Sequence, residues 1–305
     1  MLDIGFVSAI LAEKNFIEVI EFASENQFKC IEIMCWPKGK AERRYAGVTH
    51  INVDNVTETE MSHIKASLEM NNVYISGLGY YPNPLDPDEK QADVFIEHIK
   101  KVIKTAAKLK IPVVNTFIGR DPSKTIEENL KKFKYVWPGI VKTAEENSIK
   151  IGIENCPMLF TKDEWPGGKN LAISPAVWEK MFEIIPSPAF GLNYDPSHLV
   201  WMHMDEVKPI YEFSERIFHV HLKDVKINRD KLNRVGILAY PLEYHTPKIP
   251  GMGDVDWRRF FSALTSVGYR GPVCIEVEDK AFEGSPKDIE AALITSRNFL
   301  KQFIA

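Results

Sequence analysis

Short apolar runs of strand length alternate with longer amphipathic stretches from one end of the chain to the other. The apolar runs begin near Ile4, Cys30, Val73, Val113, Lys150, Phe190, Phe218 and Val273. Between them the apolar positions recur at helical spacing over Asn15–Asn26, Glu58–Asn71, Glu89–Leu109, Thr125–Asn147, Pro175–Ile185, Asp205–Glu215 and Trp257–Val267, and a last such stretch covers Lys287–Phe303. Eight strands alternating with eight helices are the signature of repeated βα units. The expected architecture is therefore α/β, a single (β/α)8 barrel spanning residues 1–305, with no Ser/Gly-rich linker to divide it. The chain exceeds a minimal barrel of about 250 residues. The surplus lies in three long connections after strands, Pro37–Asn55, Pro157–Ser174 and Val225–Asp254. Such connections fall at the barrel mouth, where these folds build active sites.

Alternate residues of a strand face opposite ways. Four of the runs end on a residue that can bind a metal: Ile-Gly-Ile-Glu154, Gly-Leu-Asn-Tyr-Asp195, His-Val-His221 and Cys-Ile-Glu276. Glu154 shares a face with Gly152 and Cys156, Asp195 with Gly191 and Asn193, His221 with His219 and Lys223, Glu276 with Cys274 and Glu278. The opposite faces carry Ile151 and Ile153, Leu192 and Tyr194, Val220 and Leu222, Val273 and Ile275. One face is bulky and apolar and suits an outer helix ring; the other is small or polar and looks into a barrel. Two glutamates, an aspartate and a histidine in that register make a site for a divalent cation. His219 lies deeper and reads as a hydrogen-bonded core histidine.

The composition narrows the partners. Among 305 residues, 45% are hydrophobic, enough for a large core, and the formal charge of −4 gives no nucleic-acid or anionic-membrane surface. No apolar run approaches the roughly 18 residues of a membrane span. The N-terminus reads as a first strand rather than a secretion signal. Cys30, Cys35, Cys156 and Cys274 lack CxxC spacing and are expected to be reduced thiols of a cytoplasmic protein. The Gly251-Met-Gly253 turn is too poor in glycine to cradle a diphosphate.

Five motifs carry a family resemblance: Ile153-Glu154-Asn155, Asp195-Pro196-Ser197-His198, His221-Leu222-Lys223-Asp224, the run from Pro250 to Trp257, and Ile275-Glu276-Val277-Glu278. Their order resembles that of the xylose isomerase-like TIM barrels, in the branch of sugar phosphate isomerases and epimerases. The N-terminal half matches more loosely, through Gly5-Phe6, Cys30–Ile33 and Gly77–Gly79. The resemblance implies that Glu154, Asp195, His221 and Glu276 hold one divalent ion, Mn²⁺ before Mg²⁺, Co²⁺ or Zn²⁺. It implies proton transfer beside the carbonyl of a ketose, one of Glu154 and Glu276 removing a proton and the other returning one. His198, Lys223, Trp36, Trp165, Glu32 and Arg120 are the expected substrate contacts; Tyr80, Tyr81 and Trp201 are further aromatics at the mouth. The alternative reading is elimination from a keto-sugar, keto-glycoside or inosose in the same site. A DNA-repair nuclease of the same family would need extra histidines on the early strands, whose ends read Met34-Cys35-Trp36, Leu78-Gly79-Tyr80 and Thr116-Phe117-Ile118. A non-catalytic carbohydrate-binding barrel is the remaining alternative. The expected partner is a small carbohydrate, phosphorylated or not, and a dimer or tetramer is the usual assembly of look-alikes.

Overall fold

The computed structural model describes residues 2–39, 46–159 and 167–304. Eight parallel strands close into a barrel: β1 (Ile4–Val7), β2 (Cys30–Met34), β3 (Tyr74–Gly79), β4 (Val113–Thr116), β5 (Lys150–Glu154), β6 (Phe190–Tyr194), β7 (Ile217–Leu222) and β10 (Val273–Ile275). Neighbours pair in chain order, and β10 closes the ring by pairing with both β7 and β1. The outward residues Ile151, Ile153, Leu192, Tyr194, Val220, Leu222, Val273 and Ile275 are wholly buried in one hydrophobic core. They pack beneath helices α1 (Phe16–Glu25), α2 (Glu58–Asn71), α3 (Glu89–Leu109), α4 (Ile126–Glu146), α5 (Pro175–Ile184), α9 (Trp257–Ser266) and α10 (Pro286–Leu300).

Local signals set the helix boundaries. Asn15, Thr57 and Thr125 each accept the backbone N–H three residues on, while Glu18, Glu60 and Glu128 bond back to the cap, so three helices start in capping boxes. The stretch Asp205–Glu215 is shorter than its periodicity predicts: only α7 (Lys208–Glu212) is helical, followed by a 3₁₀ turn at Ser214–Arg216. Asp205 is the reason. Its carboxylate accepts from the N–H groups of Val207 and Lys208, which fixes a turn where the pattern alone would begin the helix.

The connection after β7 holds structure that hydrophobic periodicity does not announce. β8 (Asp224–Ile227) and β9 (His245–Lys248) form a separate antiparallel pair, with α8 (Arg229–Val235) between them. Asp224 pins this flap. Its carboxylate accepts from the N–H groups of Val225, Gly251, Gly253 and Val255 and from the Trp257 indole. Gly253 permits the approach, since a Cβ there would lie 2.0 Å from the Asp224 carboxylate. No helix among the described residues is long and apolar enough to cross a membrane.

Candidate active site

Asparagines hold the strand ends that carry the carboxylates. Asn155 exchanges two hydrogen bonds with the backbone of Asp195, accepting from its N–H at 2.8 Å and donating to its carbonyl at 2.9 Å. Asn170 donates to the carbonyls of Glu154 and Cys156. Asp195 caps the short helix α6 (Pro196–Trp201) with one oxygen, bonded to the Ser197 N–H at 2.8 Å. Its other oxygen faces Lys223 and His198.

These supports bring Glu154, Asp195, His221 and Glu276 together at the barrel mouth, each offering one ligand atom, all within 4.8 Å of one another. His221 Nδ1 lies 3.5 Å from Glu154 Oε1 and 3.5 Å from Glu276 Oε2. Glu154 Oε1, Asp195 Oδ2 and His221 Nδ1 are buried and have no hydrogen-bond partner. A buried polar atom without a partner costs about 1–3 kcal/mol. Three such atoms converging on one point, in a set of three carboxylates and one imidazole, fit a divalent cation.

Lys223 reaches the same point. Its ammonium is 2.8 Å from Glu276, 3.1 Å from Asp195, 3.3 Å from Glu278 and 3.9 Å from Glu154. Burial opposes its charge, but the ring of carboxylates outweighs burial and holds Lys223 well above the usual lysine range. His198 Nε2 is 3.2 Å from Asp195 and 3.7 Å from Glu154, and its Nδ1 accepts from the Trp201 indole at 3.3 Å. Burial likewise raises the carboxyls of Glu154 and Asp195, and the neighbouring cationic groups more than reverse it: His221 chiefly for Glu154, Lys223 chiefly for Asp195. His221 is raised well above the ordinary imidazole value, against burial, by Glu32 and Glu154.

The cavity above this cluster has a volume of about 490 Å³. Trp36, His198 and Lys223 line it together with Glu154 and Glu276. Tyr81, Trp201 and Glu278 also line it, whereas Tyr80 is buried against Trp36 and His98. Two expected contacts need correction. Glu32 has no exposure to the cavity: its carboxylate accepts from the Tyr81 hydroxyl and faces His221 Nε2 at 2.7 Å. Gly79 makes room for it, since a Cβ there would come within 2.5 Å of Glu32 Oε1. Arg120 is turned away from the cavity and donates to the Gly167 carbonyl at 2.6 Å, holding one backbone to another. Trp165 lies outside the described residues. His219 bonds to Ser76 and Asn193 with no exposure, as a core histidine does. Residues of the flap, among them Val225, Pro241, His245 and Pro247, form a cavity wall that hydrophobic patterning did not reveal. The signal for it is length alone: the 30 residues from Val225 to Asp254 need an occupation.

Comparison with known proteins gives a consistent picture. A family model described as xylose isomerase-like TIM barrel matches residues 20–303. The uncharacterized protein YfiH of Bacillus subtilis is 27% identical over 326 aligned residues, covering 100% of each chain. An inosose dehydratase of Clostridium perfringens is 24% identical, covering 86% of this chain and 88% of its own. The crystal structure of a D-psicose 3-epimerase in the presence of D-fructose superposes with a TM-score of 0.71 at 14% identity, covering 99% of both chains.

Proposed function

Since the chain belongs to the family of xylose isomerase-like TIM barrels, we propose that it is a divalent-metal-dependent isomerase or epimerase of a ketose or related keto-sugar. The observation that carries this reading is the convergence of Glu154, Asp195, His221 and Glu276 on one point, with Glu154 and Glu276 opening into the cavity. The donor set is oxygen-rich with a single imidazole, which favours Mn²⁺ over a cation that prefers thiolates. Held there, such an ion would polarise a substrate carbonyl and neutralise charge that builds up as a proton leaves the adjacent carbon.

The chain's own groups supply the proton transfers. Glu154 comes from β5 and Glu276 from the end of β10, with β6 and β7 between them. The two carboxylates therefore flank the cluster, one placed to take a proton from the carbon and the other to return it. Lys223 and His198 present N–H groups toward the same space and would stabilise the oxyanion that develops. Trp36 stands further out in the cavity, where a ring can cover the C–H face of a sugar.

Among the described residues, Lys223 and Lys280 are the only lysines or arginines lining the cavity, and Lys223 is committed to carboxylates. An uncharged sugar suits that lining better than a phosphate ester. The four free cysteines suit the reducing environment of the cytoplasm.

The inosose dehydratase relative favours elimination as a second reading. It shares the first step, removal of a proton next to a carbonyl, and differs in what leaves afterwards. A screen of ketoses, keto-glycosides and inososes in D₂O with added Mn²⁺ tests both. Deuterium uptake without change of substrate mass beyond the label supports isomerisation or epimerisation; loss of water supports elimination. Exchange that survives undiminished in Glu154→Gln at saturating metal would remove the acid/base role.

A further inference from the structure

A second group of possible ligands sits against the first. Glu154, Cys156 and His198 each offer one ligand atom, and these atoms lie within 4.8 Å of one another. His198 Nε2 is buried without a hydrogen-bond partner and lies 3.7 Å from Glu154 Oε1. The Cys156 thiol donates to the Met158 thioether at 3.3 Å, a weak bond that a thiol-seeking cation would displace. A carboxylate, a thiol and an imidazole are donors for a zinc- or cadmium-like ion. Glu154 belongs to both groups, so a cation here would occupy a carboxylate that the proton transfers need.

One hydrogen bond decides whether the imidazole is available. Trp201 follows His198 by three residues on α6, so the two side chains share a face of the helix. The Trp201 indole points its N–H at His198 Nδ1, 3.3 Å away. An indole nitrogen can only donate, so Nδ1 is the acceptor and the hydrogen of the ring is on Nε2. A ring nitrogen that carries hydrogen has no lone pair for a cation. To ligate through Nε2, the ring would have to shift its hydrogen to Nδ1, where two donors would face each other in a buried place. Burial disfavours a charge on this ring while Cys156 and Asp195 favour one, and the second proton of a charged ring would meet the same indole N–H. With an ion held by Asp195 and Glu154, the pull of those carboxylates on the ring is spent and the indole decides.

The indole is itself held in place. It is 5% exposed and lies parallel to the His245 ring of the flap, with centroids 5.0 Å apart and planes 5° apart. His245 is tied in turn to the Pro241 carbonyl at 2.7 Å.

We infer that Trp201 is a positioning residue: its indole reserves His198 as an N–H donor toward substrate and withholds it from a second, thiol-containing cation site with Glu154 and Cys156. This rests on the metal-dependent reading above and adds what keeps the centre to one ion.

Two measurements made without substrate test it. The first is nitrogen NMR of histidine-labelled, Mg²⁺-loaded protein, with His198→Asn to identify the signal. The expected ring has its hydrogen on Nε2 and a bare Nδ1; a hydrogen on Nδ1 would overturn the inference. The second titrates Cd²⁺ into protein kept in saturating Mn²⁺ and follows the ultraviolet charge-transfer absorption of a cadmium–thiolate bond. As that bond forms, the S–H bond of Cys156 breaks and its proton passes to water. Among the described residues Cys156 is the only cysteine lining the cavity, while Cys30, Cys35 and Cys274 are wholly buried, so Cys156→Ser serves as the blank. Trp201→Phe keeps a ring against His245 and loses the N–H. Its midpoint should fall at a Cd²⁺ concentration at least about tenfold lower than that of the unsubstituted protein. Equal midpoints, or no absorption in Trp201→Phe, would overturn the inference; if that variant does not fold, the NMR pattern decides by itself. Failure of the keto-sugar reading shows elsewhere, as absence of deuterium exchange with every ketose and keto-sugar, whatever the tautomer and the Cd²⁺ midpoints.

Discussion

His221 Nε2 lies 2.7 Å from the buried carboxylate of Glu32. A carboxylate can only accept, so Nε2 carries the hydrogen, and Nδ1 is the nitrogen that would turn its lone pair to an ion bound beside Glu154 and Glu276. Glu32 would thus orient the proposed ligand His221 from behind. Glu32→Gln should weaken Mn²⁺ binding by about 10- to 100-fold, the usual range for losing such a partner. Titration against a fluorescent chelator measures it. Unchanged affinity would show that the ring keeps its orientation without the Glu32 carboxylate.

Lys223 puts a positive charge where a cation would sit, within 3.1 Å of Asp195 and 2.8 Å of Glu276. Lys223→Met should have opposite effects on the metal-free and metal-loaded protein. Removing one partner from a buried charge cluster costs about 3–5 kcal/mol, so the metal-free Tm should fall. The increment in Tm on adding Mn²⁺ should exceed that of the unsubstituted protein, because the competing charge is gone and the ion binds more tightly. Thermal denaturation with and without Mn²⁺ reads both; equal increments would refute the competition.

Burial lowers the His245 imidazole to about 4. Its ring stacks on Trp201 at 5.0 Å and its Nδ1 donates to the Pro241 carbonyl. In the unfolded chain it titrates near 6.5. Its contribution to stability is whole above pH 6.5 and is lost as the pH falls through that window toward about 4, where the unfolded chain holds a proton that the folded one refuses. The gap is worth about 3 kcal/mol. Stability measured across pH 4–7 should therefore fall less steeply in His245→Gln than in the unsubstituted protein. His198 and His221, raised rather than lowered, act with the opposite sign, so the difference between the two curves is the quantity to compare.

Asp224 accepts five hydrogen bonds and ties the β8–β9 flap to the turn before α9. Asp224→Ala would leave those donors without a partner in a buried place, and should destabilise the protein by about 3 kcal/mol or more. The flap forms a cavity wall, so KM should rise as well. Urea denaturation and steady-state kinetics check the two effects; lower stability with unaltered KM would show that the wall does not touch substrate.

Much of this site was legible in the chain because strand parity is a strong signal. It sorted Glu154, Asp195, His221 and Glu276 onto inward faces, and those four side chains meet. Parity does not say how far down the barrel a side chain lies or where its end turns. Glu32 has inward parity in β2, and its carboxylate meets an imidazole rather than the cavity. Arg120 follows β4 at the mouth, and its guanidinium turns to a backbone carbonyl nearby in space but 47 residues away in sequence. In the flap, Asp-Val-Lys-Ile of β8 alternates but its partner His-Thr-Pro-Lys of β9 does not; Asp224 and its distant backbone donors hold the flap in place, and that network is invisible to a local window.

The last of the four proposed ligands follows the strand that seals the ring, for Glu276 comes directly after β10, which pairs with β1 at the far end of the chain. A polypeptide still being synthesised owns three of the donors by residue 221 but cannot assemble the set until residue 276 has emerged and its two ends have met. Binding of an ion at the four would then report that the ring has closed, and each bound ion would draw the open and sealed forms toward the sealed one.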